Sequence, residues 1–113
     1  MKITFADKKL EKLIIDDRKL LREFGRIRAA KVKTRLDQLN AIFSLEEARY
    51  ISGNYHELKG TRKGQWACDL DQPYRLIFVP HEKPIPVNES GQCVWVEILG
   101  VEVIEITNYH KEK

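Results

Sequence analysis

The stretch from Trp66 to Val79 limits what this chain can fold into more than any other. Trp66, Cys68 and Leu70 alternate with Ala67 and Asp69. A tight Asp71-Gln72-Pro73 connection follows, and then Tyr74, Leu76 and Phe78 alternate with Arg75, Ile77 and Val79. Period-two alternation on both sides of a proline turn reads as a β-hairpin. The second arm is apolar on both faces apart from Arg75, which places it inside a sheet. A guanidinium left unpaired there would be very costly. Arg75 therefore either pairs with a sheet carboxylate such as Glu102 or Glu105, or faces a cleft where its bidentate donors clamp a phosphate.

The first half keeps a different period. Lys2 to Ala6 reads as a short strand and Asp7 as the cap of a helix carrying Leu10, Leu13 and Ile14. Asp16-Asp17 marks a break or a new cap, and Leu20, Leu21 and Phe24 continue the apolar stripe. Beyond Gly25, a local weak point, the stripe becomes regular: Ala29, Val32, Leu36, Leu39 and Phe43. Steps of three and four make one face of a long helix ending near Phe43, with Arg26, Arg28, Lys31, Lys33 and Arg35 mostly off it. Such a stripe suits a dimer seam or a core, and over this short span it reads as core.

Ser44 to Glu47 can cap one helical turn, and Ile51 to Asn54 reads as a turn leading to His56. The three prolines between Pro80 and Gly91 make that stretch a loop. Cys93 to Leu99 is strand-like and Gly100 allows a bend. Val101 to Thr107 gives a last strand, whose apolar phase slips between Val103 and Ile104 and so predicts a bulge. The expected order is β-α-α-β-β-β-(β). This is an α+β domain spanning residues 1–113, with two antiparallel N-terminal helices packed on a mostly antiparallel sheet.

No apolar run approaches the roughly 18 residues of a membrane helix. MKITFADKK lacks the apolar core of a secretory signal, so the expected location is the cytoplasm. Cys68 and Cys93 have no metal-ligand spacing with the histidines and read as small apolar residues. The net charge is only +3, but Arg18 to Arg35 holds eight Lys/Arg against Glu23, whereas Glu82 to Glu105 holds five Glu against Lys83. A basic half opposite an acidic half points to an anionic partner.

The candidate chemistry gathers around that hairpin. His56 opens a glycine-punctuated basic loop with Lys59, Arg62 and Lys63, and Asn108-Tyr109-His110 supplies a second histidine. Either histidine alone reads as structural or exposed. Together they can act as general base and acid. Lys59, Arg62 and Lys63 suit positioning of a phosphate backbone, while Trp66 reads as core. The sequence has no phosphate-binding P-loop, serine nucleophile elbow or metal-ligand cluster. A nuclease built from these residues is expected to work without metal or cofactor, on RNA, whose 2′-hydroxyl is an internal nucleophile.

His56-Glu57-Leu58-Lys59-Gly60, Arg62-Lys63-Gly64-Gln65-Trp66, Tyr74-Arg75-Leu76-Ile77-Phe78 and Asn108-Tyr109-His110, in this order, resemble the HigB branch of the RelE/ParE toxin superfamily. The resemblance covers nearly the whole chain. It implies the toxin of a type II toxin–antitoxin pair, an endoribonuclease that cuts mRNA in the ribosomal A site. It further implies His56 and His110 as the acid–base pair with Tyr109 beside them, and Lys59, Arg62 and Arg75 on phosphate or transition-state charge. The basic helices would rest on ribosomal RNA, and the antitoxin would be a small helix-turn-helix protein of the HigA type. Two features depart from the branch. Asn108 stands where an acid is common; an amide can orient a neighbouring histidine but cannot raise its pKa as a carboxylate would. The loop from Pro80 to Cys93 is longer than in compact members. The same fold also serves DNA gyrase poisons, and a non-catalytic RNA-binding module is a third reading.

Overall fold

Two aspartates set the helix starts. Asp7 Oδ1 accepts the Leu10 amide at 2.7 Å, and Asp16 Oδ1 accepts those of Arg18 and Lys19 at 3.0 and 3.1 Å. Each satisfies amides that a first helical turn leaves without partners. The computed structural model describes residues 1–108. Strand β1 (Lys2–Phe5) is followed by α1 (Lys8–Ile15) and α2 (Asp17–Ala41). Gly25 interrupts α2 with φ 80° and ψ 168°, a conformation open essentially to glycine alone. The weak point read from the sequence is therefore a kink.

Two expectations for α2 are corrected. The chain leaves the helix at Ile42, which turns extended and stays buried, so Phe43 swings out to 77% exposure. Glu47 holds the exit by accepting the amides of Phe43 and Ser44 at 2.7 and 3.0 Å, ahead of a 3₁₀ turn at Leu45–Tyr50. Arg35, expected off the stripe, is buried on it. Its Nε donates to the Asp69 carbonyl at 2.6 Å, which satisfies the charge inside. The Met1 ammonium donates to the Leu39 and Asn40 carbonyls, tying β1 to the end of α2.

The remaining strands are β2 (His56–Glu57), β3 (Trp66–Asp69), β4 (Arg75–Pro80) and β5 (Gly100–Thr107). Their order in the sheet is β1-β5-β4-β3-β2, with β1 parallel to β5 and the other pairs antiparallel. The expected hairpin is β3–β4, and β4 lies inside the sheet as its apolar faces require. The expected bulge is present: Ile77 faces Glu105 and Phe78 faces Val103, leaving Ile104 as the extra residue. One face of the sheet, with Trp66, Cys68, Leu76, Phe78, Val101 and Val103, is covered by Ile14, Leu20, Ala29, Val32 and Leu39 of the helices.

The expected strand at Cys93–Leu99 does not form. Cys93 makes a single bridge to Val87, and Trp95–Glu97 is a 3₁₀ turn. Trp95 and Ile98, three apart, are buried, while Val96 between them is 57% exposed. The turn replaces the strand where Trp95 packs edge-on against Trp66 at 5.8 Å and its Nε1 donates to Glu57 at 2.5 Å.

Gly25→Ala is expected to destabilise the fold by about 1–3 kcal/mol through backbone strain alone, since nothing lies within 4 Å of a Cβ there; urea denaturation measures it. Burial pushes the Cys68 thiol from 9.0 up to about 12 and also raises the Tyr55 phenol. Both groups ionise more readily in the unfolded chain, so stability present below about pH 9 is lost as pH rises towards about 12. The urea midpoint should fall across that window.

Candidate functional site

Side chains alternate across a strand, so the pairing register sorts these residues between the faces. On the face away from the helices, His56, Ala67, Ile77 and Glu105 form one row, and Asp69, Arg75 and Thr107 the next. Ala67 and Ile77 of that row join Leu58 and Ile104 in a small apolar cluster to which no helix residue contributes. This face is open only in that no helix covers it: Ala67 and Ile77 are fully buried and Arg75 nearly so, while Glu105 at the margin is partly exposed.

His56 is fixed by its own turn. Its Nδ1 lies 2.6 Å from the Asn54 carbonyl. A carbonyl only accepts, so Nδ1 carries the proton and Nε2 of the neutral ring keeps the lone pair. Asn54, at φ 52°, aims that carbonyl.

Arg75 is 7% exposed, and its partner differs from the expected Glu102 or Glu105. The register sets it opposite Asp69, and the two meet as an ion pair with Nε 2.9 Å from Oδ1. Its Nη1 also donates to Gln72 Oε1 and the Tyr74 carbonyl at 3.2 and 3.1 Å. Glu105 lies one row away and takes Arg62 instead, at 3.1 Å, while Arg62 donates to Gln65 Oε1 at 2.7 Å. Glu105, which the sequence offered as a partner for Arg75, is thus the partner of Arg62. The signal was its place in the register once the bulge at Ile104 is counted.

The basic loop splits. Arg62, at the end of a 3₁₀ turn (Gly60–Arg62), reaches over the open face, whereas exposed Lys59 and Lys63 flank that turn. These lysines, with His56, line a separate cleft of about 1090 Å³ between the β2 edge, the turn at Leu45–Tyr50 and the long loop through Val96. Cys93 lines it too; partial burial, and then the Glu57 carboxylate, raise its thiol pKa. Asn108 Oδ1 is shielded and accepts no hydrogen bond among the described residues. Tyr109 and His110 lie outside the described residues. Among the described residues no three His, Cys, Asp or Glu are grouped to hold a metal ion, and no helix is long and apolar enough to cross a membrane.

The architecture matches a solved YoeB/ParE toxin from Agrobacterium tumefaciens with a TM-score of 0.55, over 94% of this chain and 95% of that one. The chain has a RelE/ParE-like toxin fold. The two sequences are 13% identical, so the likeness concerns this toxin fold and not its chemistry. No family model matches the sequence. A search of curated proteins finds no match either.

Asp69→Ala should cost about 3 kcal/mol, because it leaves the mostly buried Arg75 guanidinium without its carboxylate; thermal and urea unfolding against wild type check this.

Proposed function

We propose that the chain is the toxin of a type II toxin–antitoxin pair, of the HigB kind, and cuts mRNA on the ribosome without a metal. The observation that supports this most is His56 held in one tautomer on the open face of a toxin-like sheet, in the row that ends at Glu105 beside Arg62.

The chemistry is transesterification within the RNA. A base removes the 2′-hydroxyl proton, the oxygen attacks the adjacent phosphorus, and the bond to the 5′-oxygen breaks. The products are a 2′,3′-cyclic phosphate and a 5′-hydroxyl that takes its proton from an acid. His56, through Nε2, and His110 are the proposed acid–base pair, with Tyr109 beside them and Asn108 orienting. Arg75 and Arg62 stabilise charge on the phosphoryl oxygens. Both already face carboxylates, so an entering phosphate shares or displaces those contacts. Lys59 and Lys63 hold the flanking backbone, and the exposed cations of α2 rest on ribosomal RNA. The proposed setting is the cytoplasm, and the proposed inhibitor is a HigA-like helix-turn-helix antitoxin. The same carboxylate pairing favours a second reading, a gyrase poison of this fold with no nuclease activity of its own.

In a reconstituted translation reaction mapped by primer extension, wild type should cut mRNA in the ribosomal A site. His56→Ala and His110→Ala should each lose about a hundredfold or more of that rate, the usual share of a general acid or base. Intact mRNA with active ribosomes, together with trapped DNA breaks, would establish the second reading instead.

A further inference from the structure

The cleft at the β2 edge is not part of the open face, yet the two share His56. One wall is a built stack. The Arg49 guanidinium lies 3.7 Å over the Trp95 ring, and its Nε donates in-plane to Glu46 at 2.9 Å. Bonds in the plane leave the face opposite Trp95 uncovered, and the Arg49 side chain is 43% exposed where it lines the cleft. Ile85, Val87 and Val96 supply an aliphatic side, the two valines more than half exposed. Lys59 and Lys63 line the same cleft and have no ion-pair partner among the described residues. Both acids that line it are engaged, Glu46 by Arg49 and Glu57 by the Trp95 indole.

We infer that this cleft is a subsite for single-stranded RNA. One base stacks on the free face of Arg49, and the adjoining phosphates lie on Lys59 and Lys63, so that the strand runs on past His56 to the open face. Guanidinium planes stack bases well, and the volume suits one or two nucleotides. The cleft exists because the loop from Pro80 continues to Val96 before the chain rejoins the sheet. This subsite rests on the RNA reading of the open face.

The test is binding of a fluorescein-labelled, 2′-O-methylated RNA hexamer, which cannot be cleaved, by anisotropy over a salt series. Lys59→Gln with Lys63→Gln should weaken binding about tenfold and lower the salt slope by about 1.4, the value for two single-strand phosphates. Arg49→Lys keeps the charge and loses the plane. It should cost about tenfold, the worth of one stacked base, with the slope unchanged. Thermal unfolding confirms that the variants are folded. Variants that bind like wild type would overturn the subsite, as would a hexaglutamate peptide that displaces the RNA at equal concentration. Lost affinity in the variants without any mRNA cleavage by wild type would remove the nuclease reading and leave the subsite standing. Cleavage by wild type with unchanged binding in the variants would do the reverse.

Discussion

The carbonyl of Asp69 accepts from buried Arg35 of α2, and its carboxylate faces Arg75 of β4, while its amide donates to the Gly53 carbonyl at 2.8 Å. Helix, hairpin and the turn before His56 meet at this one residue. β3 offers buried Arg35 an acceptor and buried Arg75 a charge, which offsets the cost of taking each guanidinium out of water. Gly53 completes the joint, since a Cβ there would approach Tyr55 and Arg35 to 2.9 and 3.1 Å. The turn that places Asn54, and through it His56, thus depends on how the helix packs.

That joint separates two uses of the sheet. The face under the helices is spent on the core: Trp66, Phe78, Leu76, Val101 and Val103 are fully buried. Burying each such side chain contributes about 1.5–3 kcal/mol. The opposite face buries only the small cluster of Leu58, Ala67 and Ile77, with Ile104 against it. Its charges instead stand in rows fixed by backbone pairing, as the pre-positioned groups of a binding or catalytic surface must be.

Much of this was legible in the sequence, and the misses share a cause. The hairpin, the interior position of β4, the caps at Asp7 and Asp16, the kink at Gly25 and the bulge at Ile104 follow from local chemistry or from a single periodicity. What local pattern could not supply was the choice between partners. Arg75 was expected to meet a carboxylate such as Glu102 or Glu105, and register chose Asp69. Phe43 fits the helical stripe, but the helix stops two residues earlier, where Glu47 captures the exit. Cys93–Leu99 reads as a strand, yet Trp95 packs onto Trp66 and donates to Glu57 from a 3₁₀ turn. The basic loop read as one cradle because sequence proximity hides a 3₁₀ turn that sends Arg62 to one side and leaves Lys59 and Lys63 on the other.

This split changes what the cations can do. Arg62 and Arg75 already face carboxylates, so bringing an anion onto the open face exchanges one anionic partner for another. Such an exchange yields little net binding energy but can discriminate strongly, because the guanidinium geometry is set in advance. Lys59 and Lys63 form no ion pair among the described residues, so a phosphate reaching them would displace mainly water and counterions, which favours affinity. On the proposed RNA reading, binding therefore falls to the lysines at the sheet edge and orientation to the arginines on its face. His56, which belongs to both surfaces and whose lone pair is fixed by the Asn54 carbonyl, stands where a bound strand would pass from one to the other.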